Sequence, residues 1–410
     1  MIDYRSLIKR INDRIKTAAY KKISALRLRN EVNFIEQFDI SPDDLSFSKD
    51  LLEKPINLNT NKTVNWIVPS FNHIYAGVFT ILRIANNMQQ KGYYNNILIY
   101  DNPNFVINDK LRSTISNYFP HLNISQFASM GSNILDIPES DYSVATYWTS
   151  CYILLRIKNT KRKIYLIQDY EPEFNVAGSR FGLVESTYFF PFHRIFNTPG
   201  LQNFVDVNYP NDMIKSTFLT PAVDDRYLFT AKELTFPIMI LFYGRPSKSR
   251  NGFELMMAIA RRLKERYGDD VEIVSAGESY NLREMGLGKY EKYFKNMNVI
   301  PYDDLPQFYS QFHFAISFMF TKHPSYIPFE LMASGSVMIV NRNIANTWLF
   351  QDKENCICTL PFGSSIIQSI DEVINNPDLY KQMAYNGYKT VKYATWENEL
   401  SKIYDFFEDL

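Results

Sequence analysis

Residues 238–263 read IMILFYGRPSKSRNGFELMMAIARRL. Ile238–Tyr243 is an unbroken apolar run of strand length, Gly244-Arg245-Pro246 breaks it, and a polar loop follows. Phe253, Met256, Ala260 and Leu263 then recur at helical spacing. A continuous apolar run, unlike an alternating one, predicts a strand buried on both faces, and a strand followed at once by an amphipathic helix is the repeating unit of a parallel α/β sheet.

The same alternation extends in both directions. Downstream it predicts strands at Val271–Ala276, Asn298–Ile300, His313–Phe318 and Val337–Asn341. Helices are predicted near Leu305–Phe308, at Pro328–Ser334 with Gly335 closing it, at Pro377–Val391, and at Thr395–Phe407 with Thr395 as N-cap. Upstream, Thr63–Val68 is the first strand, and Ala76-Gly77 opens a helix whose apolar face is Val78, Ile81, Leu82, Ala85 and Met88. Asn96–Tyr100, Ser143–Tyr147, Lys163–Gln168 and Arg194–Asn197 are further strands. Turn and polar residues from Pro221 to Phe236 separate the two series. At 410 residues the chain exceeds the roughly 250–300 at which a single core stops growing. The expected organisation is a basic helical extension over 1–62, a Rossmann-like domain over 63–225, a second over 236–392, and a terminal helix over 393–410 that crosses back to the first domain. Two such halves imply a cleft. There is no G-x-G-x-x-G, so an ordinary dinucleotide site is not expected.

Composition narrows the function classes. Lys+Arg and Asp+Glu are both 44, so no global field directs the protein to nucleic acid and any anion site must be local. Hydrophobic residues are 46% and aromatics 15%, enough for two packed cores. Cys151 stands alone, and Cys356 and Cys358 form only a C-x-C, which suits a reducing cytoplasm and is too little for a zinc site. No apolar run reaches the roughly 18 residues of a membrane span, and no signal-peptide pattern opens the chain. Residues 1–30 carry Arg5, Lys9, Arg10, Arg14, Lys16, Lys21, Lys22, Arg27 and Arg29 interleaved with Leu7, Ile8, Ile11, Ile15 and Ile23. This segment reads either as a solvated helix or as a peripheral contact with anionic lipid at the inner face of the membrane.

Two segments carry candidate chemistry. Between strand and helix, Gly244 lets the backbone turn, and Arg245 and Arg250 offer planar, permanently charged forks that match phosphate oxygens. The alternative is a solvated basic loop. In His323-Pro324-Ser325-Tyr326-Ile327-Pro328-Phe329-Glu330, Pro328 and Gly335 bracket a short helix whose free N–H groups suit an anion, with Ser325, Tyr326 and Ile327 at its start. Glu330 is either a sugar-hydroxyl acceptor or simply a favourable first-turn acid. In the first half, Gly77 admits close backbone approach. Gln168, Asp169, Tyr170 and Glu171 follow a strand end, where open α/β sheets bind ligands; Gln168 and the candidate catalytic residue Asp169 could hydrogen-bond the donor sugar or the acceptor hydroxyl, while Glu171 could simply form a salt bridge. Tyr147, Trp148, Tyr170 and Phe174 are candidate stacking surfaces for a sugar, and His73 and His193 candidate contacts. With no D-x-D and five scattered histidines, no metal or other cofactor is expected.

These two segments, in this order, resemble the donor-binding half of retaining glycosyltransferase family 4, whose fold is GT-B. Gly244, Arg245 and Arg250 match its Gly-Arg and downstream basic residue, which in that family bind the donor diphosphate. Glu330 matches the second glutamate of its E-x7-E motif, which holds the ribose. Lys322 stands where the first glutamate would be. A closer likeness is to the WsaF-type rhamnosyltransferases, through the H-P-S-Y-x-P-x-E-x-M-A-S-G segment, the Tyr-Gly-Arg-Pro loop, Gln168–Pro172, Glu185–Tyr188 and Thr395-Trp396-Glu397, over about residues 63–405. The resemblance implies a metal-independent, retaining hexosyltransferase that moves L-rhamnose from dTDP-β-L-rhamnose to a growing glycan or lipid-linked glycan. It implies that Arg245 and Arg250 hold the departing diphosphate, while His73 and Gln168–Glu171 stand as the candidate acceptor and sugar contacts from their place in the first half. Two other functions fit the same fold: a nucleotide-sugar epimerase or phosphorylase, and a non-catalytic glycan- or partner-binding protein.

Overall fold

The apolar runs form the central strands of two parallel sheets in the structure, a computed structural model that describes residues 22, 24–55, 62–131 and 136–410. The first sheet contains β1 (Thr63–Val68), β2 (Tyr94–Ile99), β3 (Phe127–Ser129), β4 (Ser140–Ala145), β5 (Thr160–Ile167), β6 (His193–Phe196) and β7 (Ser216–Phe218). Its seven strands lie in the order β3-β2-β1-β4-β5-β6-β7. The second contains β8 (Ile238–Gly244), β9 (Val271–Gly277), β10 (Lys295–Asn296), β11 (Phe314–Ile316), β12 (Val337–Asn341) and β13 (Cys356–Thr359), six strands in the order β10-β9-β8-β11-β12-β13. The architecture is α/β, two Rossmann-like domains of the GT-B kind.

Both faces of each sheet are covered. Along β1, Trp66 and Val68 pack into one core with the Ala76–Gln90 helix, while Ile67 faces the other with the Trp148–Arg156 helix. This double burial is why the strands read as continuous apolar runs. The final helix, Trp396–Asp409, is capped by the Thr395 hydroxyl, which accepts from the Asn398 N–H at 3.3 Å. It leaves the second half and docks on the first, burying Leu400, Ile403 and Phe407 against β1 and β4 side chains. Tyr142 fastens it by donating to the Phe407 carbonyl at 2.7 Å.

The structure departs from expectation at the sheet edges. The strand expected at Asn298–Ile300 lies instead at Lys295–Asn296, because Asn298 takes φ 62° and turns the chain out of the extended region. β3, β7 and β13, and the Gly363–Ile374 helix, were not anticipated from the pattern. Of the basic N-terminal segment, residues 1–21 and 23 lie outside the described residues. Residues 24–35 are helical, and the following Pro42–Glu53 helix is tied to the first sheet by Arg162, which donates to the Leu51 and Lys54 carbonyls at 2.6 and 2.7 Å. No helix among the described residues is long and apolar enough to cross a membrane.

The halves touch closely. At the start of the Pro199–Asn208 helix, a Cβ on Gly200 would lie 1.9 Å from the Ala345 carbonyl oxygen of the second half and 2.6 Å from the Trp348 ring. Gly182, in the Ser179–Ser186 helix, has open space at the same position. Gly200→Ala should therefore lower unfolding stability by about 1–3 kcal/mol through overpacking. Gly182→Ala should be neutral or stabilising by up to about 1 kcal/mol. Denaturation midpoints of the two variants check this, and equal midpoints would contradict the close approach.

Candidate functional site

The carboxyl ends of both parallel sheets face one another, so the loops after the strands meet at a seam, where open α/β sheets bind ligands. At the end of β8 a side chain on Gly244 would collide with the Ser275 hydroxyl at 2.0 Å, so only glycine lets β8 and β9 close up and release the loop beyond. Arg245 Nη1 donates to the Tyr243 hydroxyl at 3.0 Å. The Arg250 guanidinium lies over the Phe174 ring of the other half, 4.4 Å from its centroid. Neither arginine forms an ion pair among the described residues. Burial lowers the Arg250 pKa, the nearby Asp169 charge opposes that fall, and the neighbouring Arg245 reinforces it. Two cations are thus held close together, with the Asp169 charge nearby but no ion pair to either among the described residues, an arrangement suited to a dianion.

The second segment forms a tight loop and a short helix, Ile327–Ala333, with Pro328 in its first turn and Gly335, at φ 81°, ending it. Ser325 holds φ 71°, an unfavourable region for a residue with a side chain, and its N–H donates to His323 Nδ1 at 2.9 Å. Burial lowers the His323 pKa to about 4, so the ring is neutral. Ile327 is half-buried against the core beneath. Glu330 faces Tyr227 and Arg226 from the inter-domain linker. Burial pushes its carboxyl up to about 8, opposed by the Tyr227 hydroxyl and by the Arg226 and Arg83 charges, while Asp224 adds to the rise. A protonated carboxyl at neutral pH both donates and accepts, which suits a hydroxyl-rich ligand.

Several expected ligand contacts are committed elsewhere. Asp169 Oδ1 accepts from the Tyr170 N–H at 2.8 Å and, across the seam, from the His323 N–H at 3.1 Å, while Oδ2 accepts from the Thr321 hydroxyl at 2.7 Å. It ties the halves together, and burial raises its pKa to about 6. The Tyr326 hydroxyl, expected at the donor, is held by Thr80 at 2.6 Å and by Asn197, both in the first half. Tyr170 is buried with its hydroxyl against Tyr209 and Glu185. Glu171 is buried too, and its Oε2 accepts from the Trp148 N–H at 2.7 Å and the Tyr165 hydroxyl at 3.0 Å, which caps the Trp148–Arg156 helix. Trp148 itself packs with Phe38 in the core. A strand end exposes only some side chains of the following turn, and the others return to the core. His193 is a buried neutral histidine whose Nδ1 accepts from the Lys215 N–H at 3.1 Å. His73 is exposed beside Asn72 and Tyr75.

Gly77 and Gln168 do meet. A Cβ on Gly77 would sit 3.5 Å from the Gln168 amide nitrogen, and the Gln168 carbonyl oxygen is buried without a partner. The residues not anticipated are those that act across the seam: Thr321, Asn197, Thr80, and Glu173, which pairs with Lys322 at 2.6 Å. Asn197 and Glu173 stand just beyond strand ends, the one positional signal they carry. Among the described residues no group of three or more His, Cys, Asp or Glu side chains is arranged to hold a metal ion.

Comparison with known proteins agrees with this geometry. In fold the chain is similar to Anabaena HepE in complex with UDP and glucose, with a TM-score of 0.67 and 12% identity over 85% of this chain and 100% of that one. It is also similar to sucrose-phosphate synthase from Thermosynechococcus elongatus, with a TM-score of 0.65 and 12% identity over 85% of this chain and 99% of that one. The two facing parallel-sheet halves have the GT-B architecture. Residues 63–198 match the WsaF N-terminal domain and residues 238–371 the WsaF C-terminal domain, and the chain belongs to the WsaF family. The O-antigen biosynthesis protein RfbC of Myxococcus xanthus is 31% identical over 382 residues, 92% of this chain and 29% of that protein, so the chain spans less than a third of its relative's length.

The interior placement of Glu171 has a measurable consequence. Its carboxyl is pushed up from 4.5 to about 8, by burial first and by the Asp169 charge, against the Trp148 and Tyr165 hydrogen bonds. A folded-state pKa above the unfolded value means the folded state binds the extra proton, so this group's contribution to stability is full below about pH 4.5 and declines as pH rises to about 8. Glu171→Gln keeps an acceptor for both donors and removes the titration. Its melting temperature should fall less between pH 5 and 8 than the wild type's, and parallel curves in that window would show that Glu171 does not titrate there.

Proposed function

We propose that this protein transfers L-rhamnose from dTDP-β-L-rhamnose to a growing surface glycan, with retention of anomeric configuration and without a metal ion. The observation that carries the reading is the pair of partly buried arginines, Arg245 and Arg250, on the strand-end loop facing the seam, neither in an ion pair among the described residues. A nucleoside diphosphate gains negative charge as its bond to the sugar breaks, and fixed guanidinium groups in a site of low dielectric stabilise that charge without reorganising. The bond from the anomeric carbon to the diphosphate oxygen breaks, and the acceptor oxygen bonds to the same face of that carbon. The acceptor's proton passes to an oxygen of the departing diphosphate. This route needs no protein carboxylate as base, which accords with an Asp169 whose oxygens are already bonded.

In this reading Glu330, held largely protonated beside Tyr227, meets a ribose hydroxyl, and its capacity to donate as well as accept supports that role. The UDP and glucose in Anabaena HepE and the role of RfbC in O-antigen biosynthesis support a nucleotide-sugar donor and a glycan acceptor, free or lipid-linked. Leu26 and Leu28 stand 59% and 66% exposed next to Arg27 and Arg29, chemistry that suits peripheral contact with anionic lipid on the cytoplasmic side.

Thermal denaturation with dTDP, UDP, GDP and ADP, in EDTA, tests the donor site. A nucleotide at 100 times its dissociation constant adds about 2.7 kcal/mol to stability. We expect dTDP to stabilise the wild type in EDTA, and Arg245→Ala and Glu330→Ala to lose most of that shift. Absence of stabilisation by any nucleotide would remove the donor reading and favour a glycan-binding role.

A further inference from the structure

Lys322 of the second half and Glu173 of the first form an ion pair across the seam, Nζ to Oε1 at 2.6 Å. It differs from the surface pairs in three ways. Both side chains are mostly buried, at 19% and 26% exposure. The second carboxylate oxygen, Glu173 Oε2, is closed off from solvent with no hydrogen-bond partner, and so is the carbonyl oxygen of Gln168, which opens the same loop. The next residue, Phe174, carries the Arg250 guanidinium on its ring, so the pair stands one residue along the chain from a cation of the diphosphate site. A buried carboxylate oxygen without a donor costs free energy and is retained where a ligand supplies the donor.

We propose that Glu173 and Lys322 together read the transferred sugar, with Glu173 Oε2 and Gln168 Oε1 accepting its hydroxyl protons, and that the pair selects an uncharged sugar. The inference rests on the nucleotide-sugar reading above. Lys322 holds the Glu173 carboxylate in place and cancels its charge, leaving a neutral site with acceptors to spare. A neutral deoxyhexose or hexose supplies hydroxyl donors to these acceptors. A hexuronate brings a second carboxylate toward Glu173 while the Lys322 ammonium is already taken, and like-charge contact of this kind is a strong device for rejection. The acceptor oxygens are covered while the halves touch, so the sugar reaches them as the seam opens and is enclosed when it closes.

The experiment is calorimetric titration of the full chain with dTDP, dTDP-L-rhamnose, dTDP-glucose and dTDP-glucuronate, for the wild type, Glu173→Gln and Lys322→Met. Both variants are expected to bind dTDP as the wild type does. The ratio of dTDP-sugar to dTDP affinity for the neutral sugars should fall by about tenfold or more, the typical effect of losing a charge-assisted hydrogen bond. In Glu173→Gln the freed Lys322 should also move the glucuronate-to-glucose preference about tenfold toward the uronate. Sugar increments unchanged in both variants, with dTDP binding intact, overturn the proposal alone. Affinities for dTDP and its sugars that fall by one common factor mark the pair as a simple domain latch and also overturn it. A wild type that binds no nucleotide overturns both this inference and the donor reading.

Discussion

The carboxylate of Asp169 cannot be buried as a charge unless donors surround it, and the first half supplies only one of them. The Tyr170 N–H comes from its own turn, while the Thr321 hydroxyl and the His323 N–H come from across the seam. The two halves are therefore bound into each other's hydrogen-bond accounting: if they separate, Asp169 keeps one protein donor and must find water for the rest. The remaining contacts are arranged around this tie. Tyr326 inserts its hydroxyl between Thr80 and Asn197, Lys322 reaches Glu173, and Gly200 allows backbone-to-backbone approach at Ala345. The strained Ser325, at φ 71°, lies between Lys322 and Tyr326 in the chain.

Against that background the charges left over are informative. Asp169 is bonded across the seam and Lys322 pairs with Glu173, yet Arg245 and Arg250, which repel one another, form no ion pair among the described residues. Keeping like charges together at a partly buried site is unfavourable for the protein alone and becomes favourable when a dianion binds. The aromatic face of Phe174 offsets part of the cost for Arg250. Glu330 is the complementary case, a carboxyl made largely neutral by burial so that it can offer a proton as well as accept one.

The central strands were legible in the chain and the edges were not. Thr63–Val68 and Val337–Asn341 have the bounds that their apolar runs predict, because strands paired on both sides and packed on both faces tolerate little except apolar side chains. The strands missed or misplaced, β3, β7, β10 and β13, are the outermost strands of the two sheets. An edge strand has one paired side, and β3, β7 and β10 also have no fully buried residue, so their composition merges with that of loops. At the candidate site, the strand-end position of Gly244 and the loop that carries Arg245 and Arg250 were legible, because a glycine closing an apolar run marks where the strand ends and the loop begins.

The amino-acid pattern alone fixed two doubly covered parallel sheets, the strand-end loops that carry the site, and the local cations, since each of these depends on periodicity or side-chain chemistry within a few dozen residues. Tertiary structure decided which members of the run from Gln168 to Phe174 face the seam. Tyr170 and Glu171 turn into the core, Asp169 spans to Thr321 and His323, and Glu173 finds Lys322, about 150 residues away in the chain. No local pattern encodes such pairings, because hydrogen bonds and ion pairs form between neighbours in space, and the neighbours of a strand-end loop in a two-domain protein belong to the other domain.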